Sequence, residues 1–258
     1  MKFFDEDKYK NMYIIKNIKQ ELKQKIDLEY KQGSVNFFKE PIKLYGVRTP
    51  VVKKIANKYF KEVKNLEKKE IFKLIEELMR SNYNEEFSIA SSWLYKIRGR
   101  LDNDDFPLLS SWVKKYITNW AMCDDYCTHA FGYLIYKHPN QLIPKLKQFA
   151  KSSNRWVKRA GAVSHIHPTK QSSPFRKNIE KNKQKYLKDI FYIADNLLLD
   201  ADDLVQKGYG WMLKEASNLF EKDIFNYVIS KKKIMPRTAL RYAIEKMPTK
   251  LKKQAMAK

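Results

Sequence analysis

The stretch "KKEIFKLIEELMRS", residues 68–81, is followed after a short polar break at Asn82–Asn84 by "NEEFSIASSWLYKIRGR", residues 84–100. The first half sets Ile71, Phe72, Leu74, Ile75 and Leu78 at three- and four-residue spacing, which predicts an amphipathic helix. The second half is also helical but carries small residues, Ala90, Ser91 and Ser92, near its middle. This alternation of an apolar helix, a polar break and a second helix with small residues recurs along the chain. The second helices start near Glu85, Asn119, Asn154, Asp202 and Pro236, roughly 35 to 50 residues apart, which is the period range of paired-helix solenoids. The fold expected is therefore all-α: a solenoid of antiparallel helix pairs.

Composition agrees. The 258 residues include only 7 Gly and 9 Pro, too few turn residues for an all-β domain. One domain over residues 1–258 is expected. Residues 7–31 read as one helix, and Thr49 before Pro50 reads as an N-cap with Pro in the first turn. "HPTKQSSPFRKNIEKNKQKY", residues 167–186, is basic, polar and interrupted by Pro168 and Pro174, and reads as a long loop. "EKDIFNYVISKKK" (221–233) reads as a helix separate from "DDLVQKGYGWMLKEASNLF" (202–220).

Charge narrows the partner. Lys+Arg is 52 against 29 Asp+Glu, a net of +23, which attracts phosphates on nucleic acid or an anionic membrane. A Lys-rich chain also arises from AT-rich coding, with Lys on ordinary solvated faces, so the nine Arg are the more informative cations. The start, "MKFFDEDKYKNMYIIK", places Asp5, Glu6 and Asp7 where a signal peptide needs an apolar run. No apolar run approaches the roughly 20 residues that span a bilayer. A soluble cytoplasmic protein with reduced thiols is expected.

The chemistry-bearing residues concentrate in "NWAMCDDYCTHAFG", residues 119–132. Cys123 and Cys127 are one helical turn apart; the chain has no other Cys and no second His pair at zinc spacing, so the pair reads as packing and no metal site is expected. Trp120 and Asp124, at i and i+4, share a helix face, whereas Asp125 lies about 140° round from Trp120. "NRWVKRAGAV" (154–163) aligns Arg155 and Arg159, with Lys158 between them. "VQKGYGWMLK" (205–214) aligns Lys207, Trp211 and Lys214. Taken singly, these are helix-end charges, solvated cations and core aromatics. Their recurrence on corresponding second helices suggests one basic, aromatic surface that suits a phosphate backbone.

With "YGVRTPVVKKIANKYF", "NWAMCDDYCTHAFGYLI", "NRWVKRAGAV", "VQKGYGWMLKEA" and "PRTALRYAIEKM" in order from about residue 40 to 247, the chain resembles the DNA alkylation repair glycosylases of the AlkD family. The resemblance implies an all-α, right-handed α-solenoid of HEAT-like antiparallel helix pairs with a concave basic face, and hydrolysis of the N-glycosidic bond of N3- and N7-alkylated purines in duplex DNA without metal or other cofactor. It also implies a site of two Trp, an Asp and an Arg. W-x-x-x-D matches Trp120 and Asp124, W-x-x-R matches Trp156 and Arg159, and the late G-W matches Trp211. In these roles Asp124 stabilises an oxocarbenium-like sugar and orients water, Trp120 and Trp211 flank it, and Arg159 meets a phosphate. Arg48, Arg155, Lys158, Lys207 and Lys214 are candidate backbone contacts. The expected partner is double-stranded DNA carrying alkylated purines, bound by a monomer in a bacterial cytosol or nucleoid. The alternatives are a non-catalytic HEAT-like module that binds distorted or branched DNA, and a protein-binding scaffold.

Overall fold

A computed structural model describes residues 6–257, and among these the chain is all-α, with one isolated β-bridge, Lys43 to Tyr83. Residues 1–5, part of the stretch read for a secretory signal, lie outside the described residues. No described helix is long and apolar enough to cross a membrane. The chain divides into two compact units, Met1–Leu101 with Tyr116–Asp125, and Asp102–Lys115 with Tyr126–Lys258.

The first unit holds α1 (Glu6–Gln24), α2 (Leu28–Val35), α3 (Thr49–Val63), α4 (Lys68–Arg80) and α5 (Asn84–Lys96). The spacing read in α4 is the buried face observed: Ile71, Phe72, Leu74, Ile75, Leu78 and Met79 are all buried. Each such side chain contributes roughly 1.5–3 kcal/mol of hydrophobic stabilisation. The α4–α5 turn passes through Asn82 in the left-handed region, φ 60°, which Asn tolerates better than most residues. On α5, Trp93 is fully buried and its indole Nε1 donates to the Ala56 carbonyl of α3 at 2.9 Å.

Two local expectations are corrected here. Residues 7–31 do not form one helix, because Asp27 caps α2: its Oδ1 accepts from Tyr30 N at 2.9 Å, and its own N–H donates to Gly46 O at 2.9 Å. The N-cap of α3 is Arg48, so Thr49 is the first helical residue and makes no side-chain cap. Gly46 has φ +93°, and a Cβ there would sit 2.4 Å from Lys31 Cβ, so no other residue fits this turn. Buried Glu85, at the start of α5, holds the turn: Oε1 accepts from Gly46 N at 2.7 Å and Val47 N at 3.1 Å, and Oε2 from Tyr45 N at 3.1 Å. α7 (Trp120–Tyr126) contributes its residues up to Asp125 to this unit.

The second unit takes most of α6 (Phe106–Tyr116), then a π-helical turn (Cys127–Phe131), α8 (Gly132–Lys137), α9 (Pro139–Lys147) and α10 (Arg155–Val163). It continues through α11 (Arg176–Lys181), α12 (Lys183–Leu197), α13 (Asp203–Lys231), α14 (Arg237–Ala243) and α15 (Thr249–Met256). α10 and α13 start where the sequence placed them, with Asn154 and Asp202 as N-caps. The long loop expected over 167–186 is mostly helical. Ser164–Thr169 forms a buried 3-10 turn that includes Pro168, and α11 and α12 follow. Within 167–186 only residues 170–175 and Asn182 lack helix. The two helices expected over 202–233 join as α13 across a kink at Phe220 (φ −133°, ψ 49°). α14 packs on α13 at Gly210, where a Cβ would lie 2.7 Å from Tyr242 Cβ and 2.8 Å from Ala239 O; this crossing admits only glycine.

Candidate active site and nucleic-acid interface

In the first unit, the Asn82–Asn84 turn fixes the start of α7. Thr118 Oγ1 donates to Asn82 Oδ1 at 2.8 Å, and Asn119 Nδ2 donates to Asn84 Oδ1 at 2.9 Å. Asn119 Oδ1 in turn accepts from Met122 N at 3.0 Å, an N-cap bond that satisfies one of the orphan donors of the first turn. Trp120 is thus the first residue of α7, and Asp124 follows one turn later; both are half-buried. Cys123 and Cys127 are buried thiols within the packing.

Trp120 is held from the chain beyond α2. Its Nε1 donates to Phe37 O at 3.4 Å, and its ring stacks on Phe38 with centroids 5.3 Å apart and 19° between planes. A cleft of about 510 Å³ opens beside it, lined among others by Tyr30, Phe37, Phe38, Lys53, Trp120 and Asp125. Asp125 rather than Asp124 is the aspartate on this wall. Sequence reasoning did not single out Tyr30, Phe37 or Phe38. A signal for Phe37 and Phe38 was present, two adjacent large apolar residues in a polar stretch, and Phe37 is 77% exposed. Arg48 is exposed; its Nε donates to Asp27 Oδ2 at 2.8 Å, and its guanidinium lies 5.3 Å from the Tyr30 ring centre. The Tyr30 N–H and then Arg48 hold the Asp27 carboxyl below its ordinary range.

In the second unit, α10 clips onto the turn before α13. Arg155 ion-pairs with Asp202, the N-cap whose Oδ1 also accepts from Leu204 N at 2.9 Å and Val205 N at 3.3 Å. Lys158 ion-pairs with Asp200, whose Oδ1 accepts from Asp202 N at 3.0 Å. Arg159 is only 5% exposed; its Nη1 donates to Leu204 O, and a Cβ on Gly208 would sit 3.1 Å from its Cγ. Gly208 therefore makes the room in which Arg159 lies.

Along α13, Lys207 pairs with Asp203 and Lys214 with Glu245, both at 3.1 Å. Trp211 is half-buried. Its Nε1 donates to Glu215 Oε1 at 3.0 Å, and Lys246 holds the same carboxylate at 3.1 Å. Arg48, Arg155, Lys158, Lys207 and Lys214 thus each carry a carboxylate partner. Those partners, Asp27, Asp200, Asp202, Asp203 and Glu245, were not foreseen.

The sequence profile of the DNA alkylation repair enzymes matches residues 18–247. The chain belongs to the DNA alkylation repair enzyme family. No curated protein matches it by sequence. Among solved structures it is similar to one described as a predicted DNA alkylation repair enzyme from Enterococcus faecalis, with a TM-score of 0.71, 16% identity, and coverage of 87% of this chain and 98% of that one. The likeness places the all-α fold with that structure.

Membership gives the two clusters a chemical reading. α7 offers an indole and a carboxylate one turn apart, which suits a developing positive charge. α10 and α13 offer guanidinium and ammonium groups, each already satisfied by a carboxylate or carbonyl. Those partners keep the cations ordered.

Proposed function

We propose that this member of the DNA alkylation repair enzyme family is a DNA glycosylase that hydrolyses the N-glycosidic bond of N3- and N7-alkylated purines in duplex DNA. The observation that carries the reading is the placement of Trp120 and Asp124 on α7, one turn apart, capped by Asn119 and half-buried. Alkylation makes the purine cationic and a good leaving group. The C1′–N bond breaks with its electron pair going to the base, and the sugar becomes oxocarbenium-like. Asp124 stabilises that charge and orients the water that adds to C1′, and its carboxylate takes the proton the water gives up and passes it to solvent. Trp120 and Trp211 present ring faces to the cation. Arg159 meets a phosphate next to the lesion, and Arg48, Arg155, Lys158, Lys207 and Lys214 contact the backbone. The cationic leaving group needs no Lewis acid. The protein acts as a monomer in the cytosol, at the nucleoid.

The test is to incubate the purified protein with methylated duplex DNA and chromatograph the released bases. The parent frees methylpurine, Asp124→Asn loses most release while still binding DNA, and Asp125→Asn keeps it. Release by Asp124→Asn at the parent rate sinks the catalytic assignment. DNA retardation by the parent without release selects the non-catalytic binder.

A further inference from the structure

α14 carries Arg237 and Arg241 at i and i+4, and both are exposed. The chain has nine Arg. Arg48, Arg80, Arg155 and Arg176 pair with carboxylates. Arg98, Arg100 and Arg159 donate to backbone carbonyls. Arg237 and Arg241 are the remaining two, and among the described residues neither side chain has a hydrogen bond, an ion pair or a ring contact. The carboxylate next in sequence that could reach Arg241, Glu245 at i+4, is taken by Lys214 at 3.1 Å.

We propose that Arg237 and Arg241 form a phosphate-binding pair that grips the backbone of duplex DNA. The inference rests on the duplex-DNA partner proposed above. Two residues four apart on a helix are separated by about 6 Å along its axis, a span that lets their guanidinium groups meet neighbouring phosphates of one strand. Each planar fork matches two phosphate oxygens, which an ammonium cannot do. The pair also stands on a rigid base. Ala239, Leu240 and Ala243 are fully buried, and α14 presses against Gly210 of α13 at a distance that excludes a Cβ. Little side-chain-bearing backbone must be ordered on binding, which favours affinity. The surrounding segment is strongly positive: from Lys231 to Lys253, Lys231, Lys232, Lys233, Arg237, Arg241, Lys246, Lys250, Lys252 and Lys253 face one acidic residue, Glu245. That balance selects a polyanion over an acidic peptide of mixed charge.

The experiment measures binding of a fluorescein-labelled, undamaged duplex by anisotropy over a salt series, using the full chain. Arg237→Ala/Arg241→Ala is compared with the parent and with Arg80→Ala, an exposed Arg paired with Glu77 at 3.3 Å. Each phosphate contact contributes about 0.9 to the slope of log K against log salt. The double variant is expected to lower that slope by about two and Arg80→Ala to leave it unchanged. A parent slope in the double variant overturns the pair, as does loss of phosphatidylserine-vesicle binding with the DNA slope intact. A parent that binds no duplex at all overturns the DNA reading itself, and the pair with it. Circular dichroism melts of the two variants should superimpose on the parent, since both changes are at exposed side chains.

Discussion

Arg155 and Asp202, 47 residues apart in sequence, meet where one aspartate caps α13 with Oδ1 and receives the guanidinium with Oδ2. The cation is thereby neutralised by the same residue that starts the helix bearing Trp211.

Separating the two functions of Asp202 gives the first prediction. Asp202→Asn keeps a capping oxygen but removes the charge, so Arg155 is released to a phosphate. Duplex DNA should bind more tightly, with a salt slope steeper by about one. Asp202→Ala should in addition lower stability by about 1–2 kcal/mol through loss of the cap. Salt-dependent anisotropy and urea denaturation read the two effects independently.

Phe38 stacks on Trp120, and on the proposed function it positions that indole. Removing its ring in Phe38→Ala withdraws an aromatic contact of about 0.5–1.5 kcal/mol, which should slow excision by roughly two- to tenfold in kcat. Phe38→Tyr should restore it. Indole fluorescence should change in Phe38→Ala but not when the same substitution is made in a Trp120→Phe background; an unchanged spectrum in both would leave Phe38 no role.

Glu85 satisfies three backbone N–H groups in a buried turn. Glu85→Ala strands all three and should cost about 3–5 kcal/mol of unfolding free energy. Glu85→Gln, which retains one acceptor oxygen, should lose less. Chemical denaturation monitored by circular dichroism settles the order.

His165 is fully buried, with Nδ1 2.6 Å from Tyr136 Oη and its carbonyl accepting from the Tyr186 hydroxyl. Burial, and then Lys147, push its imidazole down from 6.5 to about 3. Between those values the unfolded chain binds a proton that the folded chain refuses, so stability falls as pH falls through that window and this contribution stops below about 3. The group contributes up to about 1.4 kcal/mol per pH unit. Urea denaturation between pH 7 and 5 should show a shallower pH dependence for His165→Gln than for the parent.

Most of the helical pattern was legible because apolar periodicity and capping residues are local. Asn154 and Asp202 announced α10 and α13, and the apolar spacing of α4 gave its buried face. The break at Asp27 was legible too, in an Asp followed by Leu-Glu, but the strong apolar period on either side masked it. The 167–186 segment misled because Pro168 sits inside a 3-10 turn, where its missing N–H is tolerated, and because α11 buries only Ile179. The Trp120–Asp124 spacing was readable from helix geometry alone. What could not be read were the long-range partners: Arg155 and Lys158 looked like bare cations because the Asp200–Asp203 turn that neutralises them lies more than 40 residues away and is brought opposite α10 by packing.

The contact at Gly210 bears on how much of the chain can be dispensed with. α14 contains none of the residues assigned to bond cleavage, and a chain ended at Met235 would keep Asp124, Trp120, Arg159 and Trp211. It would also bare the flank of α13 one residue before Trp211 and remove Lys246, which holds the Glu215 carboxylate bonded to that indole. The C-terminal segment is therefore a buttress, and on the proposed function the shortest active fragment extends past it.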